Sequence, residues 1–374
     1  MNNGLLYHDE KQSNSFQGGA QVTVYVGVDL HSNNNYIGIV NQANEVLFKK
    51  RLANDLDTVL SVLEPFREDM AGVVVESTFN WYWFVDGLMD NGYKVHLANP
   101  AAIQQYEGLK NIDDKRSALW LANMLRLGIL PTGYIYPKEE RPVRDLLRKR
   151  LHLVRHRSSH ILSIKNIMSR SLGMSMKSDE VKKLDEARIR TLFPAEELFL
   201  SVNASATIMH GLTREITRIE KAVLARVKLR KEFRGLLMLP GIGDILGLTV
   251  MLEAGDIRRF PEVGDYSSYC RCVRSTRTSN GKSTGIGNRK NGNKYLSWAY
   301  VEAANFAKRY YPIVNRYYQK KLSETNEAVA IKAISNKLAR ASYYILRDQA
   351  IYDEKKLFGG RAEPVSGLVN NRRG

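Results

Sequence analysis

Acidic residues occur at three places where their carboxylates could act together on a metal ion. Asp29 ends the apolar run VGVD, Glu76 ends the run VVVE, and Asp113 and Asp114 open an apparent helix, DDKRSALWLANMLRLG. The carboxyl ends of neighbouring strands meet at one edge of an α/β sheet, which is where such sheets bind ligands. Carboxylate oxygens suit Mg²⁺ or Mn²⁺, and a pair of such ions can stabilise the attacking and leaving oxygens in phosphodiester displacement.

Each acid also has an ordinary structural explanation. Asp29 could end its strand by bonding to its own backbone, Glu76 could be a paired surface charge, and Asp113 could cap a helix. The joint order of a strand Asp, a strand Glu and a helix Asp nevertheless favours a metal site over three separate coincidences.

Residues 274–294, RSTRTSNGKSTGIGNRKNGNK, are almost entirely basic, small or conformationally permissive. No apolar periodicity runs through this segment, which excludes a buried helix or strand. It fits either a flexible solvated loop or a loop whose glycines and asparagines approach a phosphodiester closely while its cations bind the phosphate oxygens. The candidate phosphate-binding side chains are Arg274, Arg277, Lys282, Arg289, Lys290 and Lys294.

The charge balance of the whole chain indicates a polyanionic partner. The 374 residues carry a net charge of +17, while a hydrophobic content of 44% is that of an ordinary globular protein. No apolar run is long enough to span a bilayer, so we expect nucleic acid and no membrane as partner. Residues 1–20 lack the features of a secretion signal and read as a disordered leader. The two cysteines, Cys270 and Cys272, read as reduced thiols, which is consistent with a cytoplasmic location.

The first part of the chain alternates strand and helix patterns and predicts an α/β layer with a mixed sheet. β-branched residues and turn signals indicate the strands, and apolar residues at helical spacing indicate the helices. In order, the predicted elements are a strand over Val22–Val28, a strand from Tyr36, a third strand after the turn Asn41–Asn44, a helix over Leu56–Phe66, a strand ending at Glu76, a helix over Trp81–Asn91 and a strand over Lys94–Ala98.

The rest of the chain is predicted to be helical. Apolar residues recur at helical spacing from Val143 to Leu172 and from Ile208 to Val227, which fits an antiparallel or intermolecular coiled coil, or a helical hairpin packed on its own domain. The sequence LPGIG then resembles a helix-hairpin-helix turn whose amides, near Gly241 and Gly243, would grip a phosphate; a plain helix-breaking turn fits as well. The last predicted helices cover Lys294–Arg309, Tyr310–Leu322 and Ala328–Arg347.

Together these stretches resemble the DEDD transposases of bacterial insertion sequences, a family understood as bridge-RNA-guided (seek-RNA-guided) recombinases. The resemblance runs from about Val24 to about Arg347 and is carried by VGVDLHS, VVVEST, DDKRSALWLANMLRLGILPTGYIYP, LPGIG, SYCRCVRSTRTSNGKSTGIGNRKNGNKYLSWAYVEAA and KAISNKLARASYYIL. It implies a RuvC-like domain with the RNase H fold, a helical coiled-coil segment and a mainly helical C-terminal transposase domain. The expected boundaries are 1–20 for the leader, 21–138, 139–232 and 233–352 for these three parts, and 353–374 for a flexible tail.

The resemblance also implies a composite active site. Metal-binding carboxylates Asp29, Glu76 and Asp114 would come from the first domain, and a nucleophile, Ser279, from the segment TSNGK of the last. Ser279 would attack a DNA phosphodiester, giving a covalent phosphoserine link and a free 3′ hydroxyl. The implied cofactor is Mg²⁺ or Mn²⁺, and the implied partners are a guide RNA, donor and target DNA, and further copies of the chain in a dimer to tetramer. The expected location is the bacterial cytoplasm, in association with the nucleoid.

One position departs from the family pattern. The fourth acid belongs three residues after Asp114, on the same helix face, where this chain has Ser117. A hydroxyl is a poorer Mg²⁺ ligand than a carboxylate, so Asp113 substitutes, a water completes the coordination, or this copy is impaired and only binds nucleic acid. A RuvC-like nuclease or resolvase that uses water instead of Ser279 is the other alternative.

Overall fold

The computed structural model describes residues 23–103, 114–226, 231–273, 276–279, 282–286 and 291–359 of the chain. The chain forms two compact units, Met1–Ile135 and Tyr136–Gly374. Each unit has a hydrophobic core of its own. The finer division of the second unit into a coiled-coil segment and a transposase domain stays a prediction.

The first unit is built on a five-stranded mixed sheet, as the alternation of strand and helix patterns predicts. Its strands are β1 (Val24–Leu30), β2 (Asn34–Asn41), β3 (Val46–Ala53), β4 (Met70–Glu76) and β5 (Val95–Ala98). The spatial order is β3-β2-β1-β4-β5. The pairs β1–β2 and β2–β3 are antiparallel, whereas β1–β4 and β4–β5 are parallel. This mixed arrangement is compatible with an RNase H-like fold.

Burial explains why these segments form strands. Val26, Val28 and the run Val73–Val75 are fully buried on the two central strands, β1 and β4. β-branched side chains fit the pleated surface of a sheet that is covered on both faces. β3 lies at the edge of the sheet, and its exposed Lys49 and Lys50 hinder pairing with another chain.

Helices connect and cover these strands. In the described part of the first unit they are α1 (Leu56–Leu63), α2 (Trp81–Asp90), α3 (Pro100–Ile103) and α4 (Asp114–Arg126). The predicted helix over Leu56–Phe66 is too long, because α1 ends at Leu63 and a 3₁₀ segment covers Glu64–Asp69. Pro65 supplies no N–H to the helical pattern, which accounts for the change.

Two long helices dominate the first part of the second unit. The helices here are α5 (Arg141–Leu172), α6 (Ser178–Val181), α7 (Glu186–Leu192) and α8 (Glu196–Arg226). α5 and α8 pack on each other antiparallel: Met168 shares a core with Phe199, while at the other end Arg150 Nη2 lies 2.6 Å from Glu220 Oε1. The helical hairpin is therefore present within one chain, and an intermolecular coiled coil stays a prediction.

A helical bundle and a β-hairpin complete the second unit. The bundle contains α9 (Lys231–Leu237), α10 (Asp244–Ala254), α11 (Val263–Tyr269), α12 (Lys294–Tyr310), α13 (Pro312–Glu324), α14 (Glu327–Asp348) and a 3₁₀ turn at Ile257–Arg259. The hairpin consists of β6 (Thr276–Ser279) and β7 (Lys282–Ile286). Cys270 and Cys272 are buried and unbridged. None of the described helices combines the length and the apolar character needed to cross a bilayer.

A short helix, α15 (Glu354–Phe358), follows Asp353, at the start of the stretch 353–374 for which a flexible tail is expected. Asp353 caps the helix by accepting the backbone N–H of Lys356 at 3.0 Å. Phe358 is buried and packs edge-on against the ring of Tyr317, which anchors the segment to the bundle. Residues from 360 onward lie outside the described part of the chain.

Candidate functional site

Two of the candidate metal ligands lie at the carboxyl ends of neighbouring parallel strands: Asp29 is the last residue but one of β1, and Glu76 is the last of β4. β1 and β4 pair with Val28 opposite Val75, and Asp29 and Glu76 are the next residues on their respective strands. Both therefore lie at the carboxyl edge of the sheet. Asp29 is only 6% exposed. Asp29 and Glu76, which are far apart in the sequence, are thus neighbours in the fold.

Helix α4 covers the face of β1 to which Asp29 belongs. A Cβ atom on Gly27 would lie 1.9 Å from the carbonyl oxygen of Ala118 and 2.7 Å from the backbone nitrogen of Ala122. The helix backbone therefore rests directly on the strand at this glycine. Side chains two residues apart on a strand share a face, so Asp29 lies on the side of the sheet that carries α4.

Glu76 lies on the same face by the same reasoning. Val74 packs in a buried cluster with Leu121 and Met124 of α4. Glu76 follows Val74 by two residues and so shares its side of the sheet. The two strand carboxylates and α4 consequently lie on one side of one sheet edge.

The direction of α4 brings its first turn to that edge. At its C-terminal end, Arg126 Nη1 donates a hydrogen bond of 3.1 Å to the carbonyl oxygen of Gln42, which follows the β2 residue opposite Val24 at the amino end of β1. The helix therefore runs against β1. Asp114 precedes Ala118 by about 6 Å of helix axis, and Asp29 follows Gly27 by roughly the same distance along the strand. The backbone of Asp114 thus starts near the level of Asp29.

The other candidate ligands are placed to different degrees. Asp114 is the first residue of α4, and its side chain is outside the described part; Asp113 lies wholly outside it. Ser117 is half-buried on α4, about one turn after Asp114. Among the described residues there is no group of three His, Cys, Asp or Glu side chains that could hold a metal ion. The two described carboxylates, Asp29 and Glu76, are hard oxygen donors of the kind that Mg²⁺ and Mn²⁺ prefer.

A polar network joins the loops around Asp29. His31 Nε2 lies 3.7 Å from Asp29 Oδ1. The carbonyl oxygen of His31 accepts hydrogen bonds from Asn54 Nδ2 at 3.0 Å and Asn80 Nδ2 at 2.8 Å. The turn after β1 is therefore tied to the loops that follow β3 and β4. Sequence analysis assigned no role in the site to His31, Asn54 or Asn80, and the available signal was one asparagine in each of the two loops that follow β3 and β4.

Ser279 lies in a β-hairpin rather than in an irregular loop. It pairs with Lys282 across the turn, and Thr276 pairs with Ile286 farther along β6 and β7. The sequence pattern missed these strands because their residues are polar and show little apolar alternation. The dipeptide Asn280–Gly281, which connects the strands and lies outside the described residues, was the signal, since Asn-Gly favours two-residue hairpin turns.

Three of the candidate phosphate-binding residues belong to described elements. Arg277 belongs to β6, Lys282 to β7 and Lys294 to the first turn of α12. Only the backbone of Arg277 and Lys282 is described, whereas Arg274, Arg289 and Lys290 lie outside the described residues. The assignment of these cations to nucleic acid stays a prediction.

The LPGIG turn joins α9 to α10, and its two glycines differ in surroundings. Gly241 has a φ of 79°, and a Cβ atom there would lie 2.1 Å from the carbonyl oxygen of Ala303 on α12. Helix packing alone therefore requires this glycine. Gly243 is the N-cap of α10, and a Cβ atom on it would meet nothing within 4 Å. Of the two, only Gly243 has open space at its Cβ position.

Comparison with known proteins adds independent information. Residues 26–171 match the family model for DEDD transposases of the IS110 type, described as "Transposase". Residues 234–319 match a second model, described as "Transposase IS116/IS110/IS902 family". A Streptomyces coelicolor protein named "Mini-circle putative transposase for IS117" is 24% identical over 404 aligned residues, which cover 90% of this chain and 97% of that protein.

Proposed function

Because the chain belongs to the IS110 family of DEDD transposases, we propose that it is an RNA-guided DNA recombinase that works through a covalent phosphoserine. Membership of the family implies an enzyme that cleaves and rejoins DNA. The observation that most supports this mechanism is the position of Asp29 and Glu76, which lie at the carboxyl ends of two adjacent parallel strands beside the first turn of α4.

The proposed metal site uses the carboxylates of the first unit. Asp29, Glu76 and Asp114 would hold Mg²⁺ or Mn²⁺, with Asp113, Ser117 or a water completing the coordination. The bound ion would supply charge stabilisation for the attacking and leaving oxygens of the phosphodiester. The hydrogen bonds that Asn54 and Asn80 donate to the carbonyl oxygen of His31 support this role, because they hold the chain next to Asp29 in place.

Ser279 is the proposed nucleophile. Its Oγ forms a bond to phosphorus while the bond from phosphorus to the 3′ oxygen breaks. The serine hydroxyl gives up its proton, and the departing 3′ oxygen gains one, so a phosphoserine and a free 3′ hydroxyl result. Attack by the 3′ hydroxyl of the partner DNA on the phosphoserine reverses these changes and frees Ser279. Serine needs activation at neutral pH. The cations of residues 274–293, which we call the hairpin segment, would supply it by stabilising negative charge.

Guidance by RNA is the second part of the proposal. Base pairing with a guide RNA would select donor and target DNA, while the protein would bind the strands through shape and backbone charge. The net charge of +17 supports binding through backbone charge, because the phosphates of several nucleic-acid strands must be neutralised at once. A dimer to tetramer is proposed, so that sites can be completed between copies of the chain.

A covalent adduct tests this proposal. The protein, its co-purified small RNA and donor and target DNA are incubated with Mg²⁺, denatured and separated, with the DNA labelled on the 5′-phosphate side. Wild-type protein and the control Ser283→Ala are expected to retain label, whereas Ser279→Ala is expected to retain none. Label retained by Ser279→Ala would contradict the proposal. Cleavage by Ser279→Ala without an adduct would instead indicate a nuclease that uses water.

A further inference from the structure

A buried acid on α10 binds two arginines and an asparagine. Glu253 is 2% exposed. It accepts hydrogen bonds from Arg144 Nε at 3.1 Å, from Arg148 Nε at 2.5 Å and Nη2 at 2.8 Å, and from Asn293 Nδ2 at 2.7 Å. The cluster thus links α5, α10 and the N-terminus of α12. The proposed chemistry of cleavage and rejoining does not itself use it.

The charges in this cluster favour an ionised Glu253. Burial alone would raise the pKa of its carboxyl group, but the hydrogen bond from Arg148 and the positive charges of Arg144 and Arg148 outweigh burial and leave the pKa lowered. An ionised Glu253 can only accept hydrogen bonds. It therefore fixes the side-chain amide of Asn293 with the Nδ2 group towards itself.

Asn293 holds the end of the hairpin segment and the start of α12 together. Its Oδ1 caps the helix by accepting the backbone N–H groups of Tyr295 at 2.8 Å and Leu296 at 3.1 Å. Its own backbone N–H donates to the carbonyl oxygen of Tyr269 at 2.6 Å. The cap needs only Oδ1, so the bond from Nδ2 to Glu253 adds a second, independent constraint.

The two ends of the hairpin segment are also tied to each other. The carbonyl oxygen of Gly292 accepts from Arg271 Nε at 3.2 Å and Nη2 at 2.8 Å, and the carbonyl oxygen of Arg271 accepts from Lys332 Nζ at 2.8 Å. Gly292 has a φ of 86°, and a Cβ atom on it would lie 2.4 Å from the carbonyl oxygen of Tyr269. Arg271, before the hairpin, and Gly292, after it, are therefore tied to each other at the base of this segment.

The hairpin that carries Ser279 lies between these two tied positions in the sequence. Ser279 is six residues beyond Val273, which is at most about 20 Å of extended chain. Misplacement of a reacting group by about 1 Å can reduce the rate of a reaction about 100-fold. Stability alone does not account for the cluster, because well-packed apolar residues often stabilise a fold as well as buried ions do.

We propose that Glu253 and Asn293 are positioning residues that set the orientation of the hairpin carrying Ser279. This inference rests on the proposed role of Ser279 as nucleophile. The Glu253–Asn293 hydrogen bond would then raise the rate at which Ser279 attacks the phosphodiester. Other residues would determine the affinity for nucleic acid.

The test compares two helix-cap variants. Serine caps helices about as well as asparagine, so Asn293→Ser keeps the cap of α12. It loses the Nδ2 group, which donates to Glu253 at 2.7 Å and, at the longer distance of 3.4 Å, to the Tyr269 hydroxyl. Asn326→Ser is the matched control, because Asn326 caps α14 by accepting the N–H of Val329. In complexes with RNA and saturating DNA, Asn293→Ser is expected to form the Ser279 adduct at least about 10-fold more slowly. We expect the Kd for DNA to stay within about 2-fold and Asn326→Ser to match wild type.

A reciprocal exchange separates positioning from general damage. Asn293→Asp sets two carboxylates against each other and is expected to slow adduct formation further. In the double variant Glu253→Gln/Asn293→Asp, residue 253 becomes the hydrogen-bond donor and residue 293 the acceptor. This variant is expected to recover part of the rate of adduct formation. Asn293→Ser with wild-type kinetics, or with DNA affinity lost in proportion to rate, would overturn the positioning role alone. No Ser279-dependent adduct in wild-type protein would overturn both the positioning role and the proposed nucleophile.

Discussion

Gly27 of β1 lies in direct contact with the backbone of Ala118 on α4, with only 1.9 Å between the carbonyl oxygen of Ala118 and the place where a Cβ atom on Gly27 would be. This contact fixes the height of α4 above the sheet. It consequently sets the distance from the first turn of α4 to the strand end at Asp29.

Gly27→Ala is expected to lower stability and to abolish DNA cleavage. The added methyl group meets helix backbone, so α4 must move, and overpacking of this kind costs about 1–3 kcal/mol. Urea denaturation and a cleavage assay measure the two effects. Gly133→Ala is the control, because a Cβ atom there would be 3.5 Å from its nearest neighbour, an ordinary contact. Full cleavage activity in Gly27→Ala would show that DNA cleavage does not depend on the position of α4.

Asp29→Asn and Glu76→Gln are expected to remove the stabilisation of the protein by Mn²⁺. A ligand present at 100 times its Kd adds about 2.7 kcal/mol to the free energy of unfolding, which raises the Tm of wild-type protein by several degrees. Asp57→Asn, an exposed acid in the first turn of α1, is the control and should keep the full rise. An unchanged Mn²⁺ effect in both strand variants would place the metal elsewhere.

Ser117→Asp is expected to bind Mn²⁺ more tightly than wild type, by about 10-fold, and to cleave DNA at least as fast. A carboxylate one turn after Asp114 would add a charged oxygen ligand where this chain has a neutral hydroxyl. Ser117→Asn, with the same shape and no charge, serves as the control. If Ser117→Asp left the Kd for Mn²⁺ unchanged, residue 117 would not face the metal.

The contribution of Glu253 to stability is expected to depend on pH. The folded-state pKa of Glu253 lies below its ordinary value of 4.5. Ionisation of Glu253 therefore stabilises the fold fully above pH 4.5, and this stabilisation is lost as the pH falls through the lowered pKa. Glu253→Gln should cost about 3–5 kcal/mol at pH 7 and progressively less below pH 4.5. Denaturation over this range measures it, with the exposed Glu139→Gln as control; a cost independent of pH would contradict the role of its charge.

The central strands were predictable from the sequence because local composition determines them. Runs of valine in β1 and β4 are typical of strands buried on both faces. Glu76 is the last residue of β4 as expected, and Asp29 is the last but one of β1. The contact between Gly27 and Ala118 was not predictable, since it joins residues that are distant in the chain.

Other features escaped sequence analysis for the same physical reason. Glu253 reads as an ordinary acid in an apolar helix, and its role depends on Arg144 and Arg148 from a different helix. The hairpin around Ser279 is polar, so its strands lack the apolar alternation that marks most β-structure. The helix after Asp353 forms because Phe358 packs against the bundle, which is again a tertiary contact.

The most direct test of the whole account is the location of the covalent link. The wild-type adduct is digested with nuclease and then with trypsin, and its peptides are examined by mass spectrometry. Trypsin cuts after Arg277, Lys282 and Arg289, which separates residues 278–282 from residues 275–277 and 283–289. We predict a nucleotide 5′-phosphate on the peptide TSNGK, fragmenting to Ser279. Its presence on Ser275 or Ser283, or DNA rejoining without any modified peptide, would contradict the account.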